Sequence, residues 1–512
     1  MRKKSMLTRT AALALAAAMM LTGCGSGSKK ETAAASGPRD NVIVTLNSEP
    51  TALHAGFATS TVASFVGQQI FDSLVKKTDD GQFVPSLAKS WEYSEDDCTY
   101  TFELRDDVVF HNGEKMTADD VVFSLETIIA GGYANTLTSF IDHVEKVDDT
   151  HVKVVCKMPY GPALDCLSES SLGIFSKSAY EADPDGFVRN PIGSGPYKAE
   201  EWQSGASIKL TANEDYFNGA PSIKNVEFVI YNNAATSAAL ALENGELDVL
   251  TTVASTDYDR LEASDKLQFL ATTGSSVDFV MFSMKEGSPF VDENLRLAVA
   301  YGIDKEAVLM GAMEGKGELA NCLVPSYSTG VEGYTAPQYD PEKSKEYLAK
   351  AGYPDGIDLT IQCSSTDAYY KPMEIIQAQL AEVGINCTVE KMDTNAWFED
   401  VFRTGNYPFQ VVAFSAPLAD VDYYYEMFVS DGNENFGGVN VPELDEAYKA
   451  CRATTDPEKR NEAIQEVVRV MGDKAVVVPI CGNIKAVAAN KDLKGLKADP
   501  EGIFDIADWS WE

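Results

Sequence analysis

Between residues 340 and 415 the chain alternates helix signals with short apolar runs, and that order restricts the fold more than any other feature. Asp340-Pro341 reads as a helix start, with Tyr347, Leu348 and Ala351 on one face and Gly352 as the stop. A strand is expected over 358–363, a helix over 372–383 closed by Gly384, and a strand over 385–392. A helix over 395–403 then leads into a strand over 409–415. Strands separated by helices imply a mainly parallel sheet with right-handed crossovers. A smaller unit of the same kind is expected upstream: strand 225–231, helix 234–243, strand 247–253. Residues 99–158 read differently, as alternating strands around one helix. That helix starts at Thr117 with Asp120 at its third position and buries Val121, Leu125 and Ile128. The chain is thus expected to form two α/β lobes.

Composition narrows the function. With 512 residues, the chain is long enough for about three domains or one large composite fold that needs no disulfide or metal for its core. A formal charge of −36 argues against nucleic acid, whose phosphates need clustered Lys and Arg. No apolar run approaches 18–20 residues, which excludes a multispan membrane protein. The acidity is spread along the chain, which suits solubility outside the cytoplasm or attraction of cationic ligands.

The first residues read as an export address. Arg2, Lys3, Lys4 and Arg9 precede an apolar stretch over 11–21, and Leu21-Thr22-Gly23-Cys24 follows. This resembles the lipobox of bacterial lipoproteins, which implies a signal peptide over 1–23 and a lipidated Cys24. The small, polar run over 24–40 reads as a flexible tether. Removing residues 1–23 leaves a chain near −40.

Eight cysteines remain, at 98, 156, 166, 322, 363, 387, 451 and 481, and no two form C-x-x-C. They read as small core residues, with one or two disulfides open to a protein outside the cell. Catalytic signatures are missing: H-E-x-x-H, G-x-S-x-G and a complete G-x-G-x-x-G do not occur. Residues 311–316 fall one residue short of a phosphate loop, and His54, His111, His143 and His151 stand apart from one another. The chain is therefore expected to be no enzyme and to carry no cofactor and no metal. In parallel α/β sheets ligands gather beyond the carboxyl ends of the strands. Those ends are Ser364-Ser365-Thr366, Asp393-Thr394-Asn395, and the loop over 416–422 that runs into Tyr423, Tyr424 and Tyr425.

Phe110-His111-Asn112-Gly113-Glu114, continuing to Thr117-Ala118-Asp119-Asp120-Val121-Val122-Phe123-Ser124, resembles the signature of the family 5 extracellular solute-binding proteins. So do Gln69-Ile70-Phe71-Asp72-Ser73-Leu74, Gly193-Ser194-Gly195-Pro196-Tyr197, Asn213 with Tyr216-Phe217, and Asn294-Leu295-Arg296 with Ile303-Asp304-Lys305. The resemblance implies a bilobal periplasmic-binding-protein-like α/β fold with a hinge. Lobe I would span 41–272 as two subdomains, lobe II would be inserted over 273–481, and 482–512 would return to lobe I. It further implies a monomeric lipoprotein on the outer face of the cell membrane, capturing a solute and delivering it to an ABC permease. Peptide is the leading solute. An oligosaccharide or metal chelate, a peptide-signal receptor and a lipoprotein hydrolase are the alternatives. Peptide-binding members hold the peptide amine with an Asp three residues after the aromatic of the fifth-strand loop; counted from Phe414, Pro417 stands there. The expected cleft residues are Thr59 and Ser60 from the N-terminal segment, Tyr369 and Trp397 as apolar walls, and Asp420 or Asp422 for a positive group. His111 and Asn112 are expected to be structural.

Overall fold

Strand Asn41–Leu46 alternates buried apolar residues with its outer face and lies between two parallel neighbours, Asn225–Ile230 and Val249–Leu250. The computed structural model describes residues 39–512 apart from Thr59, Asp79, Asp80, Asn233 and Pro417; Cys24 and the residues before it lie outside that range. Helix Ala235–Glu243 makes the crossover between those two neighbours, so the expected βαβ unit forms with the N-terminal strand inserted into it. Strands Ser207–Ala212 and Tyr197–Gln203 extend the same sheet antiparallel.

The 99–158 region contributes Thr99–Leu104, His151–Cys156 and Ile141–Lys146 to a separate four-stranded antiparallel sheet that Ala88–Ser94 completes. Helix Ala118–Gly131 buries Val121, Leu125 and Ile128 as its periodicity predicts. Its start is fixed by the Asp120 carboxylate, which accepts from the Thr117 N–H at 2.9 Å and the Thr117 hydroxyl at 2.6 Å.

Two long antiparallel strands, Leu267–Phe282 and Val477–Asn490, connect this first lobe to the second. Their ladder is interrupted between Thr273 and Val277 and again between Asp278 and Phe279. Before the interruption they pair beside Val249–Leu250; after it, Leu267–Phe282 pairs with Phe409–Phe414. One sheet thus runs through both lobes, with an irregular stretch at the crossing.

In the second lobe Ile357–Ser364 and Ile385–Met392 pair in parallel over eight residues, joined by helix Asp367–Glu382. The expectation of one parallel sheet through residues 409–415 needs correction. Strand Phe409–Phe414 takes the edge of the crossing strand, antiparallel. Its link to the parallel pair is a side chain: buried Gln410 donates from Nε2 to the Gln362 carbonyl at 2.8 Å. The helix expected to begin at Pro372 begins at Asp367 and contains that proline. The one expected over 395–403 forms as Thr394–Trp397, continued by a wider π turn over Phe398–Phe402.

The last residues pack back on the first lobe. Trp509 is buried beside Phe504, Phe504 meets the ring of Phe65 edge-on, and Trp511 Nε1 donates to the Asn41 carbonyl at 2.9 Å.

Several of the motifs that carry the family resemblance meet at one place. The Gly195 N–H donates to the Ile70 carbonyl, and a Cβ on Gly193 or Gly195 would stand 2.1 or 2.7 Å from that same oxygen. Glycine is required there by contact, not by conformation. His111 bonds the Gly195 carbonyl through Nε2 at 3.0 Å, and Asn213 donates to the same carbonyl at 3.1 Å. Asp72 accepts from Ser194 and Tyr216; burial, opposed by those bonds, pushes its carboxyl up to about 6. In the second lobe Arg296 is buried and donates to the carbonyls of Phe290, Val291, Lys474 and Ala475, closing the end of helix Pro457–Asp473. These motifs hold backbone together.

Candidate functional site

The interruption in the crossing strands is the floor of the candidate site. Ser275 N–H donates to the Pro500 carbonyl, which brings residues 499–501 against the crossing from the C-terminal segment. The Tyr424 hydroxyl donates to the Ser275 carbonyl, which brings in the loop over 416–425 from the second lobe. Tyr327, 41% exposed, stands close enough to Tyr424, Glu501 and Asp499 for their charges to act on its phenol. From the first lobe come Lys77, ion-paired with Asp165, and Glu169.

The electrostatics of this place are unusual for a partly exposed surface. Glu169 is surrounded by protein on most sides, and burial together with Glu501 and Asp165 pushes its carboxyl up to about 8. Burial and the neighbouring Asp499 push Glu501 up to about 7, while Lys485 and Lys77 oppose them. Among the described residues neither carboxylate has a hydrogen-bond donor or an ion-pair partner at bonding distance. Asp278, on the crossing strand just past the interruption, is raised to about 7 by burial, and its charge reaches Tyr369. An incoming cation would find carboxyls here whose ionisation it favours.

The residues singled out from the sequence fall as follows. Thr59 lies outside the described residues. Ser60 is exposed and caps helix Thr61–Ile70, its hydroxyl accepting from the Ala63 N–H at 3.3 Å. That helix adjoins the Glu169 segment, since the Ser170 hydroxyl donates to the Ser64 carbonyl. Trp397 is 3% exposed, with its indole N–H on Gln410 Oε1 at 3.2 Å, and Tyr369 covers it at a ring separation of 5.5 Å. Tyr369 is the more outward of the two rings. At the loops beyond the parallel strands, Ser364 and Thr394 meet through their hydroxyls at 2.9 Å.

Asp420 and Asp422 already hold positive groups, and both belong to the protein. Arg460 grips Asp420 with two N–H groups, each at 2.8 Å. Burial alone would push the Asp420 carboxyl up, but Arg460 outweighs it and holds it below the ordinary range. Asp422 is 5% exposed; Tyr160 donates to its Oδ2 at 2.7 Å, and Arg452 Nε lies 3.2 Å from its Oδ1. Its carboxyl is raised, because burial exceeds the help from Arg452 and Tyr160.

Sequence reasoning passed over Glu169, Glu501, Asp278 and Tyr327. Each looks like an ordinary surface residue locally, and only the chain's return through 482–512 brings Glu501 toward Glu169. Among the described residues no group of His, Cys, Asp and Glu is arranged to hold a metal, and no helix is long and apolar enough to cross a membrane.

Residues 82–436 match the pattern of the bacterial extracellular solute-binding proteins, family 5, middle region. The dipeptide-binding protein of Escherichia coli (strain K12) is 28% identical, over 87% of this chain and 90% of its own length. Heme-binding protein A of Haemophilus influenzae is 26% identical, over 98% of each chain. HbpA2 from Haemophilus parasuis shares the two-lobed fold with a TM-score of 0.84 at 23% identity, over 92% of this chain and 100% of its own. On a pattern match across more than half its length, the chain belongs to the bacterial extracellular solute-binding proteins of family 5.

Proposed function

We propose that the chain captures a peptide or a chemically similar solute between its lobes and hands it to a membrane permease. Proteins of this family are the substrate-binding, non-catalytic components of ABC importers and work outside the cytoplasm. The observation that carries the proposal is the arrival of two half-buried carboxyls, Glu169 and Glu501, at the crossing between the lobes, where the Ser275 N–H bonds the Pro500 carbonyl and the Glu501 charge reaches Glu169. A solute amine placed there meets two carboxyls, the Tyr327 ring and the start of helix Thr61–Ile70. Ser60 supplies the rim on the first lobe and Tyr369, backed by Trp397, the wall on the second. Asp420 and Asp422 act through the 416–425 loop, which Arg460 and Arg452 keep in place.

The hinge in this reading is the interrupted ladder near Thr273 and Val277, with 41–272 and 482–512 moving against 273–481. Closure gains its free energy from contacts the solute makes only in the closed form. The similarity to a dipeptide-binding protein favours peptide. Pro417, where amine-binding relatives carry Asp, favours an uncharged solute such as an oligosaccharide, or a chelate, as the second reading.

The deciding experiment is mass spectrometry of the solute that co-purifies, followed by calorimetry with that solute. For a peptide, the free amine should bind far more tightly than the N-acetylated form; equal affinities sink the amine reading. The anchor has its own test. Cys24→Ser should leave a folded protein that no longer partitions with membranes, and retention of the cleaved variant would overturn lipidation.

A further inference from the structure

We propose that Cys98 and Cys156 form a disulfide when the chain meets the oxidising side of the membrane. Both thiols are free in the structure, and their positions single them out among the cysteines. Strands Thr99–Leu104 and His151–Cys156 run antiparallel with Thr99 opposite Val155 and Tyr100 opposite Val154. The ladder ends at Thr99 and Val155, and one step beyond it the Cys156 N–H donates at 3.0 Å to the carbonyl of Cys98, the last residue of the turn, which brings the two backbones together. Residues facing each other across antiparallel neighbours have Cα atoms about 4.5–5.5 Å apart, inside the window of about 4.4–6.8 Å that a disulfide spans.

The surroundings agree with the register. The Cys98 charge acts on Cys156, and both cysteines act on the phenol of Tyr93, so the three side chains form one group. Cys98 holds a φ of 50°, a left-handed backbone that a residue with a Cβ adopts at a cost, at the turn that feeds its strand. Among the remaining described cysteines no backbone hydrogen bond joins two of them, although Cys322 and Cys481 share Lys305 as a neighbour. Cys363 and Cys387 lie on neighbouring strands, yet Cys363 faces Lys391 and Cys387 faces Leu359, four residues out of step. Cys166 contacts the Tyr423 hydroxyl, Cys481 the Met313 sulfur, and Cys322 the Val324 carbonyl.

The chemistry is thiol–disulfide exchange with a disulfide oxidant of the extracytoplasmic space. Cys98, partly exposed, attacks as thiolate on one sulfur of the oxidant and expels the other as thiolate, giving a mixed disulfide. Cys156 is buried, and burial followed by Cys98 pushes its thiol up to about 12, so it is the second to react. Its sulfur then attacks Cys98 Sγ and expels the second oxidant thiolate. The protein loses two protons and two electrons, and the oxidant becomes two thiols. The crosslink ties the strand that ends at Cys156, just before Lys157 donates to the Phe140 carbonyl and Tyr160 reaches Asp422.

The test uses the full chain purified without reductant, or the reduced chain equilibrated with oxidised glutathione. It is unfolded in guanidinium with iodoacetamide, and its peptides are mapped. The expected result is a linked Cys98–Cys156 peptide, lighter by two hydrogens than its halves, with the other six cysteines between 98 and 481 alkylated. Dithiothreitol should abolish it and lower Tm, and Cys98→Ser should make Tm insensitive to dithiothreitol. Alkylation of both Cys98 and Cys156 after oxidised glutathione, or a link between any other pair, overturns the proposal without relying on any variant's folding.

Discussion

The phenol of Tyr160 donates a 2.7 Å hydrogen bond to Asp422 Oδ2, and the bond joins the two lobes away from the crossing strands. It is the centre of a small bridge. The Gly161 N–H donates to the Arg452 carbonyl at 2.8 Å, and the Arg452 guanidinium lies 5.5 Å from the centre of the Tyr160 ring. Tyr423 reaches the other way, donating to the Thr136 carbonyl at 3.3 Å with its hydroxyl 3.1 Å from Cys166 Sγ. Gly161 has no room for a side chain, since a Cβ would stand 2.5 Å from the Thr454 carbonyl oxygen. Separating the lobes at this point exposes a carboxylate and breaks a bond that water replaces only in part.

Removing the phenol hydroxyl tests that bridge. Tyr160→Phe keeps the ring packed on Phe140 and strips Asp422 of its donor. A hydrogen bond to a charged group is worth about 1.5–3 kcal/mol, so stability should fall by that amount. Solute should also leave faster, because the bridge no longer holds the lobes together. Denaturant unfolding reads the first effect and stopped-flow dissociation the second. No change in either would mean that the bridge carries no load.

Asp420 and Arg460 supply a second prediction. The pair is buried and doubly bonded, so Asp420→Asn leaves a guanidinium inside without a counter-charge. The expected loss is about 3–5 kcal/mol. Asp420→Leu with Arg460→Met should recover most of it, because two apolar groups need no partner there. Urea midpoints at constant m-value make the comparison. If the single variant is as stable as wild type while its amine-bearing solute binds far more weakly, Asp420 faces the solute instead of Arg460.

What could be read from the sequence was local. Thr117 and Asp120 stand three apart, and that spacing alone places the helix start and its buried face. Strand Phe409–Phe414 was visible as a strand, but its partner was not, because pairing depends on which edge the crossing strand leaves open. Asp420 and Asp422 were visible as acids beside aromatics. Their partners Arg460, Arg452 and Tyr160 sit on other elements, so whether the acids were free or occupied had no local signature. The aromatic pair Tyr369 and Trp397 shows the same limit: both were legible as apolar, and only packing decides which covers the other.

The two buried imidazoles predict an acid-sensitive fold. His54 accepts from the Gly56 N–H and bonds the Gly173 carbonyl, and His111 bonds the Gly195 carbonyl. Burial lowers both to about 4, against about 6.5 when unfolded, so each stays neutral at pH 7. At these two sites the unfolded chain binds more protons between those values, and the imidazoles' contribution to stability therefore falls as pH drops from about 6.5 to about 4. His111→Gln should lower Tm at pH 7 through lost packing and flatten the decline below pH 6. Solute affinity of the folded variant should stay near wild type, since His111 sits among motifs that hold backbone. A selective loss of affinity at unchanged Tm would move His111 into the site.

Glu169 and Glu501 predict the opposite slope, and their test bears on the solute itself. Both carboxyls are raised, to about 8 and about 7, so the solute-free protein holds protons there that the unfolded chain has already released. The contribution of these two carboxyls to the stability of the solute-free form should accordingly decline as pH rises from about 4.5 toward 8. An ammonium placed between the two favours their ionised forms, so binding releases a proton and affinity rises with pH. Between about pH 5.5 and 7.5 the α-amine of a peptide remains mostly charged, and any rise in that window belongs to the protein. A free-amine peptide should therefore bind up to about tenfold more tightly per pH unit where one proton is released, while its N-acetylated form shows a flat profile. Glu169→Gln should weaken the free amine and reduce the slope, and Glu501→Gln should do the same at the lower end of the range. Calorimetry in buffers of different ionisation enthalpy counts the protons directly. A flat profile with no proton release from wild type would mean that the carboxyl pair does not face the solute's charge, and that the cleft selects a neutral ligand by Tyr327, Tyr369 and hydrogen bonds alone.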